Sequence, residues 1–425
     1  MDQLTLFRHI DELLTLSGVS KKKGRSPQEA DLGSVAKGAV LVKAGHIRWV
    51  GEERELSPHL IKSLVGKASF EEINCQGKTV LPAFIEAHTH SIFAGNRSNE
   101  FEMRIGGTSY QEIAEKGGGI LSTVRSTREA EENHLLALAK SRVQAFVAQG
   151  VATLEIKSGY GLELEAELKM LRVAGKLKGP RVIRTFLGPH AVPPEVSSSD
   201  EYLKSVVELM LPAVAQEELA SRVDIFVEKG YFTPDQGREY FARAQELGFA
   251  LTAHVEQASH TGGAVMAARQ GALSVDHLVQ VIPEDVVELA KSSTTCVLLP
   301  IADLYLRTAY PPARSLIDAG ARVALATDFN PGSAPSHDLS LVGLLARLEM
   351  SMTLPEVLAG YTYNAAAALG LETQCGSIEA GKSCDLAIVD GSWRDLFYQV
   401  GYHPVIRTWV RGKQIFDATE KRPGP

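Results

Sequence analysis

The sequence has few cysteines, no long apolar run and no excess of positive charge. Its cysteines are scattered and form no C-x-x-C pair, which argues against a disulfide framework and a thiolate zinc site. No stretch of about 18 apolar residues occurs, so we expect no membrane span. The formal net charge of -7 argues against nucleic acid as a partner. The four cysteines are Cys75, Cys296, Cys375 and Cys384.

The start of the chain carries acidic residues and no small-residue cleavage site, which is untypical of a secretory signal. Hydrophobic residues make up 44% of the 425 residues and charged residues 22%, as in ordinary globular proteins. We therefore predict a cytoplasmic protein with one large domain and a smaller one.

The middle of the chain alternates apolar, β-type runs with amphipathic helical stretches. Eight such units in succession predict an α/β fold, a (β/α)8 barrel of the TIM type. A doubly wound open sheet is the alternative, but no G-x-G-x-x-G follows the first run. The eight runs span residues 84–93, 151–160, 182–192, 222–230, 250–257, 272–278, 295–300 and 323–331.

Both ends of the chain contain short β-rich runs separated by glycine turns, at residues 39–52, 385–393 and 408–418. We predict that these runs pair into one small β-sandwich domain beside the barrel. The predicted boundaries are residues 1–80 and 371–425 for the two parts of this β domain, and residues 81–370 for the barrel.

Histidines and an aspartate stand at the C-terminal ends of the predicted strands, the end that carries the active site in such barrels. His88 and His90 point to the same side because strand side chains alternate. His254 and Asp328 end later runs. Together they predict a site of three imidazoles and one carboxylate for a single metal, with a position left for water. Hydrogen-bonded core histidines are the alternative for an isolated H-x-H pair.

His277 ends the strand after that of His254, in the stretch SVDHL. A fifth protein ligand would close the position left for water. We therefore assign His277 to the surroundings of the metal, where it can donate a hydrogen bond to a developing oxyanion.

The arrangement of H-x-H, two later histidines and a terminal aspartate on successive strands resembles the amidohydrolase superfamily. Six longer stretches narrow the resemblance to the imidazolonepropionase family, over nearly the whole chain. Among them are EIKSGYGL, FLGPHAVP and ALATDFNPGSAP. The stretches span residues 93–130, 155–162, 186–193, 254–264, 274–278 and 325–335.

The resemblance implies hydrolysis of the ring amide of 4-imidazolone-5-propanoate to N-formimino-L-glutamate, a step of histidine degradation. It implies one divalent or trivalent metal ion, zinc or iron, a small-molecule substrate and a homodimer. Another cyclic amidohydrolase or a deaminase, hydantoinase-like in its ring opening, is the alternative enzyme. A catalytically inactive scaffold is the other alternative, although all four predicted ligands are present.

The resemblance also implies roles for further residues. The chemistry of the site independently predicts that Asp328 accepts the proton of the attacking water and helps to protonate the leaving nitrogen. Arg97 binds the propanoate, unless it is a surface arginine paired with Glu100 or Glu102. For Tyr110 and Tyr160, the alternative is a structural role in the scaffold. For the N-P-G-S stretch at 330–333, the alternative is that these residues only form a turn. The other substrate-binding residues are Tyr110, Tyr160, His190, Gln257, Asn330, Gly332 and Ser333.

One position departs from the family pattern. Some members carry a glutamate three residues after the histidine of the fifth strand, where this chain has Gln257. Because an amide cannot act as a base at neutral pH, we expect Gln257 to orient the ring and Asp328 to transfer the protons. The adjacent Glu256 should face away.

Two-metal relatives need a bridging group, usually a carboxylated lysine on a middle strand. The possible positions here are Lys157 on the second run and Glu228 with Lys229 on the fourth. No lysine position is compelling, and we therefore expect a single metal.

Overall fold

The computed structural model describes residues 4–66, 70–108, 112 and 118–419. All eight predicted runs of the middle region form strands of one parallel sheet, with the fourth run split in two. The strands are β6 (Phe84–Glu86), β7 (Val151–Lys157), β8 (Arg181–Phe186), β9 (Arg222–Val223), β10 (Phe226–Val227), β11 (Ala250–Val255), β12 (Ser274–His277), β13 (Thr295–Leu298) and β14 (Arg322–Leu325).

The sheet closes on itself where the first and last strands end. Thr89 and Phe329 form a parallel bridge. The His90 N–H donates to the Phe329 carbonyl at 2.9 Å, and the Asp328 N–H donates to the His88 carbonyl at 3.1 Å. The predicted (β/α)8 barrel is therefore confirmed, and main-chain hydrogen bonds of its closing seam join three of the four predicted metal ligands.

The chain termini build a separate sheet of eight strands in the order β17-β16-β15-β5-β1-β2-β3, with β4 beside β1. The two termini meet where β5 pairs antiparallel with β15. The pairing confirms a small β domain made from both ends. The strands are β1 (Leu4–Leu14), β2 (Ser34–Lys43), β3 (His46–Glu52), β4 (Glu71–Asn74), β5 (Lys78–Pro82), β15 (Leu386–Asp390), β16 (Val405–Val410) and β17 (Lys413–Asp417).

The terminal sheet has a core of its own, in which Phe7 and Trp409 meet edge to face with ring centroids 5.0 Å apart. Edge-to-face packing is a favoured arrangement of aromatic rings. The four cysteines are buried and free.

Helices begin with sequence signals where the chain leaves a strand. Helix α9 starts at Pro234 after a capping box, in which the Thr233 hydroxyl accepts from the Gln236 N–H at 3.2 Å. The helices are α1 (Ser17–Lys21), α2 (Pro58–Val65), α3 (Ser98–Ile105), α4 (Ile120–Glu129), α5 (Glu132–Val147), α6 (Leu164–Gly175), α7 (Ser199–Ser205), α8 (Leu211–Gln216), α9 (Pro234–Glu246), α10 (Gly263–Arg269), α11 (Pro283–Lys291), α12 (Pro300–Leu306), α13 (Ala313–Asp318), α14 (Leu339–Leu348), α15 (Leu354–Tyr361) and α16 (Tyr363–Ala368). Within the described ranges, none of them is long and apolar enough to traverse a lipid bilayer.

A buried ion pair fastens the terminal sheet to the barrel. The Arg181 guanidinium at the start of β8 lies 3.1 Å from the Asp385 carboxylate, just before β15, and both side chains are less than one-tenth exposed. Removing one member of such a pair leaves an uncompensated buried charge, which costs several kcal/mol.

We expect Arg181→Met to lower the free energy of unfolding by about 3 kcal/mol, measured by urea denaturation. Arg172→Met is the matched control, because Arg172 pairs with Glu217 at 2.8 Å while both side chains are more than one-third exposed. That pair should contribute less than about 1 kcal/mol. Equal losses in the two variants would contradict a fastening role for Arg181.

Candidate active site

A cavity of about 340 Å³ opens at the C-terminal ends of the barrel strands. This is the face on which barrels of this type carry their chemistry. The lining includes nearly all the side chains singled out from the sequence that the structure describes. They are His90, Arg97, Tyr160, His190, His254, Gln257, His277, Asp328, Asn330, Gly332 and Ser333.

Three imidazoles and one carboxylate converge at the floor of the cavity. The Asp328 Oδ1 atom lies 3.3 Å from Nε2 of His88 and 3.3 Å from Nε2 of His90. Nε2 of His254 lies 3.4 Å from Nε2 of His90. The structure thus brings together all four residues predicted to hold a metal. His277 lies close by, since one of its ring nitrogens is within 4.8 Å of ligand atoms of His88 and His254.

Two buried aspartates determine which nitrogen each imidazole turns to the centre. Nδ1 of His88 lies 2.6 Å from the Asp276 carboxylate, and Nδ1 of His254 lies 3.0 Å from the Asp224 carboxylate. A carboxylate can only accept, so each Nδ1 carries the proton. The Nε2 lone pairs of both rings therefore face the other donors, which is the usual outer arrangement of metal-binding histidines.

The donor set fits a small cation. Nε2 of His88 is buried and has no hydrogen-bond donor among the described residues. Lone pairs of two imidazoles and a carboxylate oxygen facing one another repel unless a cation lies between them. Four ligands placed tetrahedrally at about 2.0–2.1 Å from zinc lie roughly 3.3–3.4 Å from each other. The three distances measured between the donor atoms match this spacing.

Burial keeps the imidazoles of His88 and His90 neutral, the form that binds metals. It lowers the pKa of His88 and His90 well below the ordinary value, and neighbouring charges such as the Lys157 ammonium lower both further. Burial also lowers the pKa of His277 to about 3, although the Asp328 carboxylate opposes the shift. At neutral pH His277 is therefore an uncharged hydrogen-bond donor or acceptor.

The backbone is strained where two of these side chains leave their strands. His277 has φ 82° and Asp328 has φ 56°, in the left-handed region that side chains other than glycine rarely adopt. Such conformations cost about 1–3 kcal/mol each and cluster at functional sites.

Lys157 is fully buried and surrounded by carboxylates. Its Nζ lies 2.8 Å from both Glu155 and Asp224 and 3.8 Å from Asp276. Burial alone would lower the pKa of Lys157, but these three carboxylates raise it above its ordinary value. Carboxylation needs a neutral amine and would add negative charge among three anions. The geometry therefore argues against a bridging carbamate at Lys157.

Glu228 and Lys229, the other possible bridging position, are arranged differently. The Glu228 carboxylate accepts from the main-chain N–H of Ala258 at 2.9 Å and of Lys229 at 2.8 Å, and from the Ser259 hydroxyl. Its oxygens thus hold the loop that follows β11. Lys229 lines the cavity mouth.

Arg97 both pairs with a neighbouring glutamate and faces the cavity, so it combines the two interpretations that the sequence left open. Its Nε donates to the Glu100 carboxylate at 2.7 Å, and its guanidinium lines the cavity. A Cβ atom at Gly332 would lie only 2.0 Å from Arg97 Nη1. A glycine at position 332 is therefore required for the guanidinium to lie against the loop after β14.

Tyr160 and His190 form the neighbouring wall. The His190 ring stacks on His90 with centroids 5.0 Å apart, and its Nδ1–H donates to the Gly159 carbonyl at 2.9 Å. Its Nε2 is therefore a hydrogen-bond acceptor. Tyr160 is 3% exposed, with its ring 5.4 Å from that of His190.

The N-P-G-S loop is an Asx turn. Oδ1 of Asn330 accepts from the N–H groups of Gly332 and Ser333, each at 2.8 Å, and its Nδ2 donates to the Asp328 carbonyl at 2.7 Å. The turn chemistry left open from the sequence is therefore present, and these groups shape the loop that carries Asp328 while also lining the cavity.

Gln257 lines the cavity, whereas Glu256 does not. The Glu256 carboxylate accepts from the N–H groups of Thr261 at 2.7 Å and Ala264 at 3.2 Å. Glu256 is thus tied to the loop and helix that follow its strand. Tyr110 lies outside the described residues.

Sequence reasoning did not single out the supporting acids Asp224, Asp276 and Glu167. The Glu167 carboxylate accepts from the N–H groups of Gly161 at 2.7 Å and Leu162 at 2.8 Å, which shapes the loop that presents Tyr160. An acidic residue inside an otherwise apolar strand was the available signal for Asp224 and Asp276, since buried charges are rare without a partner.

Comparisons with known proteins agree with this geometry. Residues 79–415 match the Amidohydrolase family. An imidazolonepropionase of Bdellovibrio bacteriovorus is 51% identical over 411 residues, covering 97% of this chain and 96% of the relative. The chain belongs to the imidazolonepropionase family. Imidazolonepropionases of Sphingopyxis alaskensis (45% identical, covering 88% of this chain and 92% of the relative) and Geobacillus kaustophilus (41%, with 96% of each covered) are further relatives.

Solved structures with low sequence identity share the fold of this family member. An adenosine deaminase from Xanthomonas campestris with bound zinc has a TM-score of 0.71 at 16% identity, covering 99% of this chain and 94% of the other. A triazine hydrolase variant has a TM-score of 0.69 at 16% identity, covering 99% and 96%. At this identity the likeness concerns the fold alone.

We expect the purified protein to hold one equivalent of metal per chain, measured by elemental analysis after gel filtration. His254→Ala should retain only a small fraction of that metal, because it removes a ligand. His134→Ala, at an exposed position of helix α5, is the control and should keep the full equivalent. Two equivalents in the wild-type protein would contradict a single-metal site.

Proposed function

We propose that this protein is an imidazolonepropionase, which hydrolyses the ring amide of 4-imidazolone-5-propanoate to N-formimino-L-glutamate in histidine degradation. The convergence of His88, His90, His254 and Asp328 beside a cavity lined by Arg97 carries the proposal. These four residues would hold a divalent cation, which would supply a water of lowered pKa and polarise a carbonyl oxygen. Family membership selects this reaction among those that such a site supports.

Asp328 moves the proton in this scheme. Burial raises its pKa above the ordinary value, although His277 and His254 oppose the shift. A carboxylate of raised pKa is a better proton acceptor at neutral pH. Asp328 takes a proton from the water while the water oxygen forms a bond to the carbonyl carbon of the ring. It then delivers the proton to the ring nitrogen as the C–N bond breaks.

His277 stabilises the charge that develops on the carbonyl oxygen. The neutral ring lies within reach of the same centre and lines the cavity. A neutral imidazole can donate one N–H to this oxygen without exchanging its proton. Gln257 on the adjacent loop has amide groups that match a ring N–H and carbonyl, and it orients the ring.

Arg97 binds the propanoate carboxylate of the substrate. Its Nε donates to Glu100, and its Nη1 lies beside the main chain of Gly332. A guanidinium binds a carboxylate strongly, through two parallel hydrogen bonds. His190 Nε2 and Tyr160 on the other wall suit the ring nitrogens of the substrate.

Zinc or iron is the proposed ion, since imidazole and carboxylate ligands suit both. A cytoplasmic homodimer is the proposed state of the protein. The homodimer is what the resemblance to the family implies.

A hydantoinase-like amidohydrolase or a deaminase would use the same metal ligands. The Arg97 guanidinium on the cavity wall favours the imidazolonepropionase reaction over these, because hydantoin and purine rings carry no acidic side chain for it to bind. The close approach of Arg97 to Gly332, on the loop after β14, supports this role.

The test is an assay of the purified protein with 4-imidazolone-5-propanoate, hydantoin and a purine, at saturating zinc or iron. We expect turnover of the first substrate alone. Asp328→Asn, assayed at measured metal content, is the control for contaminating activity and should lower kcat about 1000-fold, since it removes the proton acceptor. Hydantoin or purine turnover at a comparable rate, or full activity of the variant, would refute the assignment.

Arg97→Ala should raise KM for the propanoate substrate about 10- to 100-fold and change kcat little, because a charge-assisted contact made by substrate and transition state alike is lost. The KM of Arg97→Lys should lie between those of the wild type and Arg97→Ala, because lysine keeps the positive charge but lacks the planar guanidinium that forms two parallel hydrogen bonds. A neutral amide of the substrate side chain is the matched control and should discriminate little between variant and wild type. An unchanged KM for the acid would place the carboxylate site elsewhere.

A further inference from the structure

A buried network lies behind the candidate metal site, on residues that do not line the cavity. Its centre is Lys157, one of the largest fully buried side chains of the described structure. Nζ lies 2.8 Å from Oε1 of Glu155, 2.8 Å from Oδ2 of Asp224 and 3.8 Å from Oδ2 of Asp276. A buried ammonium is stable only with such partners.

Two of these carboxylates are the ones that hold the metal-site imidazoles. Asp276 uses Oδ2 for His88 Nδ1 at 2.6 Å. Asp224 uses Oδ1 for His254 Nδ1 at 3.0 Å, while its Oδ2 faces Lys157. The ammonium of Lys157 is therefore linked to each of two imidazoles through one carboxylate, and the two imidazoles come from different barrel strands.

The network joins strands that are not neighbours in the sheet. Lys157 and Glu155 belong to β7, Asp224 lies between β9 and β10, and Asp276 lies on β12. Without a cation between them, the carboxylates of Asp224 and Asp276 would be like charges in a buried space and would move apart or take up protons. The ammonium of Lys157 opposes that repulsion.

Glu155 holds Lys157 from the other side. Its Oε1 accepts from Nζ of Lys157 and, at 2.5 Å, from the Thr185 hydroxyl on β8. The ammonium is thus fixed within the barrel interior by a carboxylate that contacts neither imidazole of the pair. Its position does not depend on the two aspartates alone.

We propose that Lys157 is a positioning residue for the metal site. It fixes Asp224 and Asp276 at the distance and orientation in which both His88 and His254 present Nε2 to the same ion. This inference rests on the metal site proposed above. Lys157 would thus contribute to metal binding, although its side chain contacts neither the ion nor the substrate.

Coulomb attraction alone predicts the opposite effect of removing this lysine. Loss of an ammonium near a cation site would tighten cation binding, whereas loss of a positioning group loosens it. A purely structural role would lower the stability of the protein and leave metal affinity unchanged. Zinc affinity should therefore rise if Lys157 acts only through its charge, fall if it positions the ligands, and stay unchanged if its role is purely structural.

The experiment compares Lys157→Met with the wild-type protein and with Lys169→Met. Lys169 is the matched control because its Nζ donates to the carbonyls of Thr127, Arg128 and Ala130 at 3.1, 2.8 and 2.9 Å, with no metal-site residue among its partners. Zinc affinity is measured by chelator competition. Thermal unfolding is followed with and without zinc, and the visible spectrum of the cobalt-loaded protein reports the coordination geometry.

We expect Lys157→Met to lose zinc affinity about 10-fold or more, the effect typical of a group that orients metal ligands. Its cobalt spectrum should change and its Tm should rise less on zinc binding. Lys169→Met should lower Tm by the same amount with and without zinc, and its zinc affinity should equal that of the wild type. If Lys157→Met does not fold, Lys157→Gln takes its place, since the amide retains an N–H donor without the charge.

Unchanged or tighter zinc binding by the Lys157 variant, with an unaltered cobalt spectrum, would overturn the inference. Failure of the wild-type protein to bind zinc or cobalt at all would instead refute the metal site itself. The two results are distinct, so the positioning role and the proposed function can fail separately.

Discussion

The mutual repulsion of donor atoms at the barrel mouth is the constraint on which the site depends. Two imidazole nitrogens lie 3.3 Å from the Asp328 carboxylate oxygen, and the Nε2 atoms of His90 and His254 are 3.4 Å apart. Such a cluster is stable when a cation lies at its centre. Holding it together without one needs rigid support, and the surrounding structure supplies that support on every side.

That support has two layers. The closing seam of the barrel joins His88, His90 and Asp328 through main-chain hydrogen bonds, so their separation depends on strand register rather than on side-chain rotamers. Behind them, Asp276 and Asp224 set the orientation of two rings through their Nδ1 atoms. Catalytic geometry has to be held within a fraction of an ångström, and side chains fixed by a rigid outer layer achieve this.

Another wall of the cavity is built from loops, and it carries side chains that are proposed to bind the substrate. Gly332 allows the Arg97 guanidinium to lie against the loop after β14, and the Asx turn at Asn330 shapes that loop. In the proposed function, metal chemistry and substrate recognition therefore come from different parts of the barrel. This division is common in barrels of this type, whose loops vary while the strands remain.

Much of the fold was predictable because the signals are local. Alternating apolar runs and helical stretches gave all eight barrel strands, and β-rich ends gave the terminal sheet. The split of the fourth strand into β9 and β10 was not visible, since hydrogen-bond partners outside the run decide where pairing stops. Residues such as Glu167, whose carboxylate shapes the loop carrying Tyr160, also escaped prediction, because a glutamate in an amphipathic helix gives no sign of its burial.

The sequence by itself determined which chemical groups stand at the strand ends, because side-chain alternation along a strand is a property of neighbouring residues. His88 and His90 were recognisable for that reason, and Asp328 because it ends the last apolar run. Only the tertiary structure decided that Lys157 is bound by carboxylates rather than free to bridge two metals, and that Arg97 meets Gly332. These contacts join residues far apart in the chain, and closure of the barrel is what brings them within hydrogen-bonding distance.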